Sequence, residues 1–276
     1  MSTFDLEVSA DTHSAKNALR LGEAAAAAYG SAEEIARWVS ERDLDGRFFD
    51  QGKVQGFTAR EDRLVLVVFR GTDQPEDWGV NLNAAHEKPK TRAIQGELHS
   101  GFYEALLKVW ESNVAPALRE RGGRKVWITG HSLGGALAAL AAAQAALVES
   151  IPVQGLYTYG QPRVGNQAFT DQFNGIFGSR AFRYVNDKDV VPRVPLHVMG
   201  YRHTHQEMFF LADGKLRVEP SLKEKALNLI TSELDKIHAA LDFKGDLKSL
   251  FGKGLEGIQD HSMPNSYLPR LRAAFD

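Results

Sequence analysis

Gly130-His131-Ser132-Leu133-Gly134-Gly135 stands between a short apolar run, Val126-Trp127-Ile128, and an Ala/Leu-rich stretch from Ala136 to Val148. A serine with glycines two residues before and two after it, preceded by a strand and followed by a helix, marks a sharp strand–turn–helix elbow. The turn lifts the serine to the top of a sheet, and the glycines keep strand and helix from colliding with it. Ser132 is therefore the candidate nucleophile. The next backbone N–H, that of Leu133, opens the helix and points where negative charge would develop on an attacked carbonyl oxygen.

A serine hydroxyl attacks a carbonyl only when a base takes its proton and a carboxylate orients that base. In sheets that carry such an elbow, the acid and then the histidine follow the serine along the chain. Two aspartates fit the acid position. Asp187 and Asp189 share a loop at the end of the apolar run Ala181–Val185, just before Val190-Val191-Pro192. For the base, His13, His86 and His99 precede the serine. His131 adjoins it and reads as a packing residue. His197 and His203 lie in or beside the next strand, and His238 sits in a helical stretch. His261, in the polar segment Asp260-His261-Ser262-Met263-Pro264-Asn265, is the expected base, with His205 as runner-up. A second oxyanion donor should follow an early buried strand. Thr72, in Phe69-Arg70-Gly71-Thr72, sits there and offers both an N–H and a hydroxyl. None of this chemistry calls for a metal or a cofactor.

The elements that must position these residues alternate between strand and helix. Residues 14–29 and 31–42 read as helices split by Gly30, with Ser31 and Glu34 forming a capping box. Leu64–Phe69 is an unbroken apolar run suited to a strand buried on both faces. Helical spacing from Phe102 to Arg119 follows, then strands at 125–129, 153–159 and 181–185. Two further strands, 205–211 and 215–218, flank Asp213-Gly214 as a hairpin. The expectation is a single α/β domain over residues 1–276, with a mainly parallel central sheet flanked by helices. Leu227, Ile230, Leu234, Ile237 and Leu241 recur at helical spacing, so 221–251 reads as a helical insertion or cap before His261.

Of the 276 residues, 43% are hydrophobic and 25% charged, as in an ordinary globular protein, and the net charge is −2. That balance gives no basic field for nucleic acid. No run of about 18 apolar residues predicts a membrane span. The chain has no cysteine, which excludes disulfides, thiolate metal sites and a thiol nucleophile. With no basic and apolar leader at the N-terminus, the expected location is cytoplasmic, with signal-independent export or a trimmed leader as the alternative.

Several motifs carry a family resemblance. Phe69-Arg70-Gly71-Thr72, Asp77-Trp78, His99-Ser100-Gly101-Phe102 and Gly130–Gly135 come first. Tyr159-Gly160-Gln161-Pro162-Arg163-Val164-Gly165-Asn166, Asp189-Val190-Val191-Pro192 and Asp260-His261-Ser262-Met263 follow. In this order, over residues 60–268, the set resembles the class 3 lipases, the fungal-type α/β-hydrolases. The resemblance implies the α/β-hydrolase fold and hydrolysis of triacylglycerols or related carboxylic esters. It implies that Ser132 is the nucleophile, Asp189 rather than Asp187 the acid, His261 the base, and Thr72 and Leu133 the oxyanion hole. It also implies that the segment from Asp73 to about Thr91 is a lid. That segment is rather polar here, unlike the greasy underside that favours an oil–water interface. The expected substrate is thus an ester or lipid. Phospholipase A1, a feruloyl-type esterase and a non-catalytic lipase-like binding protein are the alternatives.

Overall fold

The computed structural model describes residues 4–72, 85–89, 91–219 and 260–275. Most of the lid segment and the whole 221–251 stretch lie outside the described residues.

Among the described residues the main sheet has eight strands. They are β1 (Asp45–Gln51), β2 (Val54–Arg60), β3 (Leu64–Phe69), β4 (Lys125–His131), β5 (Val153–Tyr159), β6 (Ala181–Asn186), β7 (Gln206–Phe210) and β8 (Leu216–Val218). Their order across the sheet is their order along the chain. The pairs β3/β4, β4/β5, β5/β6 and β6/β7 are parallel. Antiparallel pairs close both ends: β1/β2 and β2/β3 on one side, β7/β8 on the other. The hairpin expected around Asp213-Gly214 is that last pair.

Every residue of β3 is buried, as its unbroken apolar run requires. Side chains alternate faces along a strand, and β3 shows the consequence. Val65, Val67 and Phe69 join a core under the helices Ser100–Val109 and Leu133–Ala143. Leu64, Leu66 and Val68 join a second core, against the helix Ala15–Ala27 and the C-terminal helix Leu268–Phe275. The sheet is thus sandwiched between helical layers, and the helices at the two ends of the described chain share one face. Ser31 and Glu34 form the expected capping box at the start of Ala32–Ser40.

Several elements escape the sequence reading. The β1/β2 hairpin is one. The predicted helix over 102–119 is interrupted by a wider π-helical turn, Trp110–Val114. Four two-residue strands form a small second sheet in which His86–Glu87 pairs with Leu98–His99. Among the described residues no helix is long and apolar enough to cross a membrane, and no group of three or more His, Cys, Asp or Glu residues could hold a metal ion.

Candidate active site

Strand β4 runs straight into Ser132, which has φ 58° and ψ −127°. Side chains rarely adopt this left-handed backbone, and it costs about 1–2 kcal/mol in a non-glycine residue. The elbow is held by its neighbours. The Ser132 N–H donates to the Tyr159 carbonyl over 2.9 Å, and the Ser132 carbonyl accepts from Gly135 N–H. A Cβ on Gly130 would stand 2.2 Å from the Gly134 carbonyl oxygen, so the two glycines let strand and helix close as expected.

The loop that carries Thr72, the expected oxyanion donor, follows β3. Gly71 is pressed against the elbow: a Cβ there would lie 2.8 Å from the His131 carbonyl oxygen and 3.0 Å from Ser132 Cβ. Thr72 comes next in the chain, and Leu133 opens the helix beside Ser132. The two expected donors therefore come from separate segments, one next to Gly71 in the chain and the other next to Ser132.

The acid loop leaves β6 after Asn186. Asp189 is 1% exposed and His261 2% exposed, and Nδ1 of His261 lies 2.8 Å from Asp189 Oδ2. Three donors hold this aspartate in all. Val191 N–H reaches Oδ1 over 2.9 Å, the Tyr267 hydroxyl reaches Oδ2 over 2.6 Å, and Nδ1 of His261 carries the proton that faces Oδ2. Burial, and then the charge of Asp189, push the Tyr267 phenol well above its ordinary range, so it stays a neutral donor. Asp187 turns the other way. It is also buried, but its carboxylate faces the Arg270 guanidinium at 3.4 Å and its carbonyl accepts from Arg193.

The segment carrying His261 is pinned at both of its first residues. Asn186 Nδ2 donates to the Asp260 carbonyl over 2.8 Å, and His131 Nε2 lies 2.6 Å from the His261 carbonyl oxygen. Gly160, at φ +58°, forms the floor. A Cβ on it would stand 2.8 Å from His261 Cε1 and 2.9 Å from Asp189 Oδ2. Ser132 Oγ and His261 Nε2 are both buried, and neither has a hydrogen-bond partner. They are the two atoms that a proton transfer would join.

The structure thus brings Asp189 to His261 and sets Ser132 between Gly71 and Leu133. The runner-up base His205 is elsewhere: its Nε2 faces Thr158 Oγ1 at 3.1 Å and its ring packs on Phe173. His131, expected only to pack, is bonded through both ring nitrogens. Tyr267, Gly160 and Tyr29 were not singled out for roles by the sequence reading. Gly160 lies within the motif Tyr159–Asn166, which is its only sequence signal.

Comparison with known proteins follows the same lines. The family model described as "Lipase (class 3)" matches residues 66–199, a span that holds Thr72, Ser132, Leu133 and Asp189. A secreted mono- and diacylglycerol lipase of Fusarium solani is 36% identical over 163 residues, covering 58% of this chain and 47% of the relative. A lipase of Rhizomucor miehei is 33% identical over 160 residues, covering 55% of this chain and 43% of the relative. This chain therefore spans just under half the length of the curated relatives it matches. A solved triacylglycerol lipase, described as having a serine protease triad for its catalytic centre, superposes with a TM-score of 0.66 at 27% identity. That likeness covers 76% of this chain and 88% of the other.

Proposed function

We propose that the chain, which matches the class 3 lipase model over residues 66–199 and superposes on a solved triacylglycerol lipase, is a class 3 lipase-type α/β-hydrolase that hydrolyses the esters of acylglycerols through an acyl-enzyme. The observation that carries this reading is the buried array Tyr267–Asp189–His261, together with two buried atoms, His261 Nε2 and Ser132 Oγ, that have no hydrogen-bond partner. In the proposed reaction His261 Nε2 takes the Ser132 proton as Oγ bonds to the ester carbonyl carbon. Asp189 keeps Nδ1 protonated and offsets the imidazolium charge. The N–H groups of Thr72 and Leu133 receive the tetrahedral oxyanion. The intermediate collapses, the C–O bond to the alcohol breaks, and the alcohol leaves with the proton from Nε2. Water then gives a proton to His261 and its oxygen to the acyl carbon. Oγ leaves with that proton, and a fatty acid is released.

A fluorophosphonate should label the wild-type protein and leave Ser132→Ala unlabelled. The same substitution should lower turnover by at least about 10⁴-fold, because nucleophile and base act as a unit. Emulsified mono-, di- and triolein should be cleaved faster than a phospholipid or a feruloyl ester. Faster release from the phospholipid would make the protein a phospholipase, and a preference for the feruloyl ester would make it a soluble-ester enzyme. Absence of both labelling and turnover would leave a lipase-like binding protein and end the proposal.

A further inference from the structure

Tyr29 follows the helix Ala15–Ala27, far outside the span 66–199 that matches the family model. Its hydroxyl lies 2.6 Å from His131 Nδ1. The other nitrogen of that ring, Nε2, lies 2.6 Å from the His261 carbonyl oxygen. A carbonyl only accepts, so the proton of His131 sits on Nε2. Nδ1 is then an acceptor, and the Tyr29 hydroxyl is its donor. The His131 and His261 rings lie 4.5 Å apart. Burial, and then the charge of His261, hold His131 well below its ordinary range, so it is neutral.

The same hydroxyl touches a second part of the site. A Cβ on Gly71 would stand 2.0 Å from it, so it lies against the backbone that leads into Thr72. The Arg70 guanidinium sits over the Tyr29 ring at 5.5 Å. One side chain from the N-terminal region therefore meets the oxyanion loop, and through His131 it meets both the elbow and the segment carrying His261.

We infer that Tyr29 and His131 are a positioning pair that fixes the His261 backbone and the Gly71-Thr72 loop in register with Ser132. The inference rests on the proposed ester hydrolysis. Neither residue touches substrate. Tyr29 locks the tautomer of His131, His131 holds the carbonyl of His261, and Gly71 rests on the Tyr29 hydroxyl. A catalytic group displaced by about 1 Å loses on the order of 10²-fold in rate, so the pair should show itself in kcat.

The test compares wild type with Tyr29→Phe, His131→Gln and His131→Leu on a short, water-soluble p-nitrophenyl ester. Tm is measured for each, together with the low-field proton resonance of the hydrogen bond between His261 Nδ1 and Asp189. Tyr29→Phe should lower kcat by about 10–100-fold, leave KM within about twofold, and shift or broaden the resonance. His131→Gln keeps an N–H donor for the His261 carbonyl and should recover about tenfold over His131→Leu. Tyr29→Phe added to His131→Leu should cost little more. Wild-type kcat and an unmoved resonance in Tyr29→Phe would overturn the inference. So would equal losses in His131→Gln and His131→Leu that follow Tm alone. If wild type cleaves no ester, the proposed function fails, and the resonance in Tyr29→Phe still decides whether the pair positions His261.

Discussion

The Tyr267 hydroxyl and His261 Nδ1 share one oxygen, Asp189 Oδ2, at 2.6 Å and 2.8 Å. The tyrosine also accepts from the Asn186 N–H over 3.1 Å, so it ties the end of β6 to Asp189. Tyr267→Phe keeps the buried ring and removes both bonds. A hydrogen bond to a charged group contributes about 1.5–3 kcal/mol. The expected result is a fall in kcat of about 10–100-fold with KM nearly constant, measured in steady state on a soluble ester. An unchanged kcat would mean that the two remaining bonds hold Asp189 by themselves.

Asp187 and Asp189 are two residues apart and both buried, yet they face different partners. Asp189→Asn offers an amide where the carboxylate was and favours the wrong tautomer of His261. Turnover should fall about 10²–10⁴-fold with the fold intact. Asp187→Asn instead weakens a buried pairing with Arg270. It should cost about 1–3 kcal/mol of stability and less than about tenfold in kcat. Denaturant melts beside kinetics for the two variants check the split. The reverse pattern would move the acid to Asp187.

Gly160→Ala tests the floor of the site. At φ +58° an alanine is strained by about 1–2 kcal/mol. Its methyl group would also stand 2.8–3.0 Å from His261 Cε1 and Nδ1 and from Asp189 Oδ2. The histidine must shift or tilt, and kcat should drop by about 10²-fold or more. Kinetics and a thermal melt separate the two effects. Loss of stability with full activity would show that the site relaxes around the methyl group.

How much of this was legible follows from how local each signal is. Ser132 could be read because its glycines, strand and helix are all within about fifteen residues of it. The strands of the parallel sheet could be read because burial on both faces leaves an apolar run, as in Leu64–Phe69. The β1/β2 hairpin could not, because only Phe49 among the seven residues of β1 is buried, which leaves no periodic apolar face. Asp189 could not be chosen over Asp187 from spacing either. What separates Asp189 from Asp187 is the turn after Asn186 and an arginine 83 residues further on. Tyr29 is harder still. It is one tyrosine at a helix end, and its partner His131 is 102 residues away.

His99 gives the pH dependence a specific handle. It is 3% exposed, and burial first, with the nearby His86 adding to it, pulls its pKa down to about 4 from 6.5. The folded state thus refuses a proton that the unfolded chain takes up. Stability is unaffected above about pH 6.5. It falls as the pH drops from 6.5 toward 4 and levels off below that, because in this window the unfolded state binds more protons. At about 1.4 kcal/mol per pH unit, His99 alone accounts for a loss of about 2–4 kcal/mol. His131, His203 and His205, also lowered by burial, act in the same direction. His99 Nδ1 accepts the Phe102 N–H at the start of the helix Ser100–Val109. Asparagine can take over that capping bond without titrating. His99→Asn should therefore be somewhat less stable than wild type at pH 7.5, since it loses the ring stacked on Phe102 at 3.9 Å. Between pH 6.5 and 4 it should lose about 2–4 kcal/mol less than wild type does. Urea melts of both proteins across that range measure the difference. Parallel curves would show that His99 takes up its proton without opening the fold.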